Sequence, residues 1–336
     1  MNISYSTPVV NIRGETGYGY AGRNIVNSLN LLGHFVPFQD PKSPVQLNFS
    51  QPDLFKLHRG QYQIGYTPWE STKIREEWRD RMNSCDEIWA TSDWVADVYK
   101  TNGITAPIKV YPHGIEDIWK PYKRVVKENR PLKFLHVGEP SPRKDGQLVT
   151  DTFIKLFGNN PEYQLTLKCH GASTVRIYND RKELVSPDTV YSNIKIIKEE
   201  YPVEQLVDLY HQHHVLVYPT WGEGFGFIPL QGLATGMPVI STYDWAHYKD
   251  YLGPLKLNST LTNAEVDGVP KAVGDPHIGS FYKPDKLHLE DQMTFAALNF
   301  KAMSGYYFAQ STKIHEEYNW IKLTKNAFEH LEEKFS

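Results

Sequence analysis

Short apolar runs, each followed by a stretch with helical spacing, recur from one end of the chain to the other, and this alternation limits the fold more than any other feature. Strands interleaved with helices pack as parallel sheets wrapped by helices, so the class is α/β. Residues 62–66 read as a short strand, 87–91 as a buried one leading into a helix near Ser92 or Asp93, and 108–111 as another that ends at Pro112. Residues 120–131, polar, basic and flanked by prolines, mark a boundary, and LKFLHV at 132–137 opens a fresh strand that ends in Gly138. A second doubly wound domain begins in this way. Strands follow at 164–169, 194–197, 215–218 and 238–241, with helices at 203–212 and about 227–235. The stretch 253–287, rich in Gly, Pro and Asn, reads as an irregular excursion over the surface. From about 290 to 335 the pattern is helical, with Trp320, Leu323, Phe328 and Leu331 on one apolar face.

A length of 336 residues suits two domains and therefore a cleft. We place the domains at 1–125 and 126–315, with a terminal segment at 316–336. With 40% hydrophobic and 22% charged residues the chain has enough apolar surface for sizeable cores, and a net charge of −3 gives no global field toward nucleic acid or an anionic membrane. The spacing of Cys85 and Cys169 matches neither a disulfide framework nor a zinc site. The opening residues lack a basic stretch followed by an apolar one, and no apolar run approaches the roughly 20 residues that cross a bilayer. A cytoplasmic protein without membrane insertion is the expectation.

The strongest chemical signal is PTWGEGFGFIPLQ at 219–231, followed by GLATGMPVI at 232–240. A strand delivers the chain to a glycine-rich turn whose N–H groups lead into a helix N-terminus, which makes an anion site. Gly222, Gly224 and Gly226 let a diphosphate approach the main chain around Phe225. Glu223 offers a carboxylate to sugar hydroxyls, and Gln231 falls two helical turns later on the side facing a nucleoside. A second constellation, VGEPSPRKDG at 137–146, directly follows the first strand of the second domain, where open α/β sheets place ligands. Beyond Gly138, Arg143 and Lys144 suit the clamping of two phosphates, Arg by bidentate contact and Lys as a point charge. A solvated basic loop is the plainer reading of that pair alone.

In the first domain, GETGYGYAG at 14–22 precedes a helical pattern over 23–32, and its Gly17 and Gly19 suit a loop closing over phosphates or an acceptor, though such loops also serve dinucleotides and plain turns. YTPWEST at 66–72, CDEIWATS at 85–92 and VYPHGI at 110–115 follow. Glu70 and His113 are candidates for orienting an acceptor or handling its proton, and Tyr66 and Trp69 for contacting it. Against these stand a helix N-terminal carboxylate for Glu70, a turn histidine for His113 and an aromatic plug for Trp69.

Together these segments resemble glycosyltransferase family 4, whose E-x7-E motif sits within EGFG…LEA…G.PVI; Glu223 matches its first acid and Gln231 replaces the second. Nearly the whole chain takes part, through the glycine loop, the YT.wE and v.PHG.D successions and Tyr318-Asn-Trp320. The resemblance implies a GT-B fold: two Rossmann-like domains facing across a cleft, with a C-terminal helix crossing back to the first. It implies a retaining, nucleotide-sugar-dependent transferase with UDP as the commonest carrier, and the nucleotide sugar is a co-substrate rather than a cofactor. Arg143, Lys144, Glu223, His113 and Glu70 would be catalytic, with the donor on Gly17, Gly19, Gly138, Gly224, Phe225, Gly226 and Gln231. No Asp-x-Asp element occurs, so no metal is expected. The acceptor could be a glycan, a small molecule or a hydroxymethylated phage DNA base, since Lys56, His58, Arg59, Lys73, Arg75, Arg79 and Arg81 make the first domain locally basic. A non-catalytic nucleotide-sugar or polysaccharide binding module is the main alternative, and a phosphorylase or epimerase a third.

Overall fold

The first domain is built on a five-stranded sheet of β1 (Ile3–Ser6), β2 (Val45–Phe49), β3 (Tyr62–Tyr66), β4 (Glu87–Ala90) and β5 (Ile108–Val110), paired in that order and parallel throughout. This is a computed structural model, and it describes residues 1–8, 11, 16–169, 175–263 and 277–335. Phe35 and Phe38 bridge Asn2 and Tyr5 on the free side of β1, so the order reverses at β1. The sequence pattern hid β2 because VQLNF alternates as if one face were wet, yet all five residues are buried. Asn48 is satisfied inside: it donates to Gln63 Oε1 at 3.2 Å and accepts from the Lys56 amide at 2.7 Å.

Helix α1 (Gly17–Leu31) starts earlier than the periodicity from Arg23 suggests. The Thr16 hydroxyl accepts from the Gly19 amide at 3.0 Å, and this cap draws Gly17, Gly19 and Gly22 into the first turns of the helix instead of a loop. Gly14 and Glu15, the start of that predicted loop, lie outside the described residues. Helices α2 (Glu76–Met82) and α3 (Asp93–Thr101) complete the domain, and Ser92 caps α3 through the Val95 amide at 3.2 Å.

The second domain contains β6 (Leu132–Val137), α4 (Gly146–Phe157), β7 (Tyr163–Lys168), the small hairpin β8 (Ile177–Tyr178) and β9 (Leu184–Val185), and β10 (Ile194–Ile197). Then come α5 (Val203–His211), β11 (Val215–Tyr218), α6 (Phe227–Ala234), β12 (Val239–Thr242) and β13 (Lys256–Leu257). The large sheet runs β10-β7-β6-β11-β12-β13, all parallel, which is the doubly wound order with its switch between β6 and β11. Residues 253–287 are not merely an irregular excursion. They hold an antiparallel pair, β14 (Ser259–Asn263) and β15 (Ser280–Pro284), with 264–276 outside the described residues.

The helical end is two helices. α7 (Lys286–Glu317) packs on α4 and α6, the chain breaks at Tyr318, and α8 (Trp320–Phe335) crosses to the first domain against α1. Trp320, Ala327, Phe328 and Leu331 join the first domain's core with Ile3, Ile25 and Leu29. The return passes beside the outgoing connection, where the Ile115 amide donates to Tyr318 O at 2.7 Å. The basic linker is also pinned. Arg124 is buried and donates to Tyr210 O (3.0 Å), His213 O (2.8 Å) and Thr235 O (2.6 Å), carbonyls at the ends of α5 and α6 that a helix dipole makes receptive to a cation.

Candidate functional site

Because strand order reverses between β6 and β11, the loops leaving their C-terminal ends diverge and open a crevice. After β6, Gly138 leads to a single 3-10 turn, Pro142–Lys144, and after β11 the chain passes Thr220 to Gly226 before α6. Four donors meet on one carboxylate oxygen. Glu223 Oε1 accepts from Lys144 Nζ at 2.5 Å, Arg143 NH1 at 3.1 Å, Tyr218 OH at 2.9 Å and Thr220 Oγ1 at 2.8 Å. Lys144 Nζ also donates to Tyr218 OH at 2.8 Å, and Arg143 to Gly222 O. Asp145 holds the loop in place: in a left-handed conformation (φ 52°) it caps α4 through the Leu148 amide at 3.1 Å and accepts from Trp221 Nε1 at 2.9 Å. Tyr218 looked like no more than a strand residue in the sequence; only its place at the strand's end signals a site role.

Burial by itself would raise the Glu223 carboxyl, but the Lys144 ammonium and Arg143 guanidinium hold it at about 2, so it is ionised. Lys144 is pushed below its usual value by burial and then by Arg143 beside it. Arg143 also has Glu139 at 3.7 Å. The cations are thus preset, with one shared anion between them that an incoming ligand can compete with.

The facing wall comes from the first domain. A cleft of about 560 Å³ is lined by Thr16, Gly17, Tyr18, Tyr20, Pro68, Glu70 and His113 on one side. On the other side lie Glu139, Arg143, Lys144, Glu223 and the segment Gly224 to Ile228, with Gln231 one turn deeper and Tyr201, Val203 and Leu206 beyond. This volume is in the range of small-molecule sites. Tyr18 OH is 3.0 Å from Thr67 Oγ1, which ties the first turn of α1 to the loop after β3. Glu70 is not at a helix start, since α2 begins at Glu76; its carboxylate accepts from His277 Nε2 at 2.8 Å. Burial opposes its ionisation, but His277 and then Arg143 outweigh that and lower it. His113 is buried, stacks on Phe227 at 5.0 Å and is depressed to about 3 by burial.

The glycines of the 222–226 turn serve the protein first. A methyl group on Gly222 would strike Glu70 O, and one on Gly224 would come within 2.9 Å of the Trp69 amide nitrogen and 3.0 Å of Pro68 C. Close approach of the two domains, rather than access for a diphosphate alone, accounts for glycine there. Gly226 has φ 81° and begins α6 with no side-chain cap, so the first amides of that helix are left to the cleft. Gly17 has open space beside it, Gly19 is buried within α1, and Gly138 lies under the Lys144 side chain, donating its amide to Lys168 O at 3.0 Å. Tyr20 OH and Trp119 Nε1 were not foreseen: both are buried in this wall without a hydrogen bond of normal geometry among the described residues, the Tyr20 hydroxyl lying toward Glu116, Trp119 and Gln231.

Tyr66 and Trp69, expected to meet an acceptor, do not line the cleft. Tyr66 lies at the inner end of β3 with its hydroxyl turned to Tyr111 and His113. Trp69 is a plug between Trp78 (4.9 Å) and His277 (4.6 Å), and its indole donates to Lys73 O at 2.9 Å. The aromatic side chains are consumed in holding the loops that carry Glu70 and His113.

Residues 131–254 match the family model described as glycosyl transferases group 1. The chain is also similar to a D-inositol 3-phosphate glycosyltransferase of Corynebacterium jeikeium, 27% identical over 108 residues, which are 32% of this chain and 26% of that protein. The chain thus spans about a quarter of the length of the curated relative it matches. Over the entire chain the structure is similar to a sucrose-phosphate synthase from Thermosynechococcus elongatus, with TM-score 0.71, 12% identity and coverage of 100% and 99% of the two chains. It is also similar to Anabaena HepE in complex with UDP and glucose, with TM-score 0.65, 9% identity and coverage of 98% and 99%. The chain therefore has the GT-B fold, and the part of its second domain that carries the Arg143, Lys144 and Glu223 cluster matches the group 1 glycosyl transferases.

Proposed function

We propose that the protein is a glycosyltransferase that moves a sugar from a nucleoside diphosphate sugar, with UDP as the carrier, to an acceptor hydroxyl. The observation that carries this reading is the Arg143, Lys144 and Glu223 cluster at the switch point, facing the start of α1 across the cleft. Two cations and the uncapped start of α6 suit a diphosphate leaving group. Glu223 then exchanges part of its ion pairing for sugar hydroxyls. HepE, similar in fold, is known with UDP and glucose, which supports the choice of donor.

In this mechanism the bond from the anomeric carbon to the diphosphate oxygen breaks while the acceptor oxygen bonds to that carbon on the same face. The acceptor's proton passes to the departing phosphate oxygen. No protein nucleophile is needed, and configuration is retained. Arg143 and Lys144 supply the positive charge, so we infer metal-independent transfer; among the described residues no group of three or more His, Cys, Asp and Glu is placed to hold a metal ion. Chelation with EDTA is expected to leave turnover unchanged.

Within the first domain's basic run, Arg79 pairs with Asp80 (3.1 Å) and Glu76 (3.7 Å), and Arg81 donates to Phe55 O at 2.5 Å. We therefore favour a glycan or small-molecule acceptor over duplex DNA. The test is UDP release from a panel of UDP-sugars, with NMR of the product's anomeric configuration. Lys144→Met is expected to lower turnover by about 100-fold or more, the scale of removing one charge-stabilising group. Inversion at the anomeric carbon would reject the mechanism, and tight UDP binding without turnover on any donor would leave a binding module.

A further inference from the structure

The hydroxyl proton of Tyr66 settles the state of a second group. Tyr66 OH lies 2.5 Å from the carbonyl oxygen of Tyr111 and 3.0 Å from His113 Nδ1. A carbonyl only accepts, and a phenol has one proton to give, so that proton belongs to Tyr111 O. The contact with His113 then needs Nδ1–H as the donor. A neutral imidazole has one ring proton, so Nε2 is left with its lone pair.

The surroundings keep it so. His113 is 2% exposed, with Phe227 stacked on one face (5.0 Å, 5° between planes) and the edge contacts of Phe225 at 4.9 Å and Phe49 at 5.8 Å. These rings offer no proton to Nε2, the indole of Trp320 lies tilted at 5.7 Å with its Nε1 making no hydrogen bond to the imidazole, and burial holds the imidazole neutral. Among the described residues no hydrogen bond to Nε2 occurs, yet His113 lines the same cleft as Arg143 and Lys144. A lone pair there rejects phosphate and carbonyl oxygens, which would oppose it with lone pairs of their own, and accepts only from a donor such as a hydroxyl.

We infer that Tyr66 is a positioning residue that fixes His113 in the Nδ1–H form, so that Nε2 accepts a hydrogen bond from a hydroxyl of the donor sugar. The identity of that hydroxyl rests on the sugar-transfer reading; the fixed tautomer does not. The cleft is thereby given a direction: cations for phosphate at one wall and an acceptor-only nitrogen for the sugar at another.

The experiment is 15N NMR of the full chain labelled at histidine, with the His113 signals assigned by loss in His113→Gln. Unliganded protein is expected to show a protonated Nδ1 and an unprotonated Nε2. Saturating UDP-glucose is expected to shift Nε2 in the direction of hydrogen bonding, and UDP alone to leave it in place. A protonated Nε2 in the unliganded protein overturns the tautomer lock. An equal shift with UDP alone overturns the sugar contact. No response and no turnover with UDP-glucose, with Nδ1–H intact, overturns the sugar contact together with the sugar-transfer reading and leaves the lock standing. In Tyr66→Phe the tautomers are expected to mix and KM for UDP-glucose to rise about five- to tenfold, the loss of one hydrogen bond, with inhibition by UDP unchanged. A rise in both would reduce Tyr66 to a packing residue and overturn the proposal.

Discussion

Tyr20 shows how a single atom can be tested against two expectations at once. Its hydroxyl is buried near Glu116, Trp119 and Gln231 without a hydrogen bond of normal geometry among the described residues, while its ring lies edge-on to Phe227 at 4.8 Å. Leaving a buried hydroxyl unpaired costs about 1–3 kcal/mol, so Tyr20→Phe is expected to leave the melting temperature of unliganded protein unchanged or higher. If the hydroxyl serves the nucleotide, the same change weakens UDP by about fivefold in calorimetric titration; a lower melting temperature with unaltered UDP affinity would refute this. At this scale the charged residues were legible: Arg143, Lys144 and Glu223 each follow a strand at a turn, and charge at a strand's end has few other uses. What was not legible was direction. Tyr66 ends β3 and Trp69 lies in the loop after it, but both turn inward, and Tyr218 ends a strand whose composition is that of pure core. Sequence spacing does not state which way an aromatic hydroxyl in a loop or at a strand end is aimed.

Elements were read best where the period is strong. β6 and β11 lie where their apolar runs predict, because buried parallel strands tolerate little else, and β10 does so at the edge of the sheet. The start of α1 was missed since glycines suggest a loop, and one hydroxyl cap from Thr16 outweighs that tendency. The pair β14 and β15 was missed because its partner is distant: β15 begins where the second domain docks on the first. There the Thr72 amide donates to Ser280 O at 3.1 Å and the Ser280 amide to Thr72 Oγ1 at 2.9 Å, next to an antiparallel bridge between Lys73 and Ile278. Thr72→Val keeps the shape and removes one of these bonds. It is expected to cost about 1 kcal/mol and to speed amide exchange at residues 278–282 more than in β6; equal exchange in both proteins would show that the docking does not depend on this hydroxyl.

For the whole molecule, the described residues include histidines held neutral by their surroundings: His113 at about 3, and His136, His213 and the half-buried His214 at about 4, each lowered chiefly by burial. An unfolded histidine protonates near 6.5, so the unfolded chain takes up protons first on acidification. The stability these groups confer is complete above about 6.5 and falls as the pH drops toward 4, by about 1.4 kcal/mol per histidine for each pH unit. Denaturant midpoints at pH 7.5 and 5.5 should therefore differ clearly, the lower at pH 5.5; coincident midpoints would contradict the burial. Two α/β domains and a cleft followed from the alternation of periods, but their joining did not, since nothing in the polar, basic linker signals that Arg124 is buried on the ends of α5 and α6. The amide of Ile115 on Tyr318 O makes the outward and return passages of the backbone neighbours. Both backbone passages between the lobes therefore run along one spine, next to Trp320 and the imidazole it approaches at 5.7 Å. Covers sewn together along a single edge can part only after the clasp between Thr72 and Ser280 is undone.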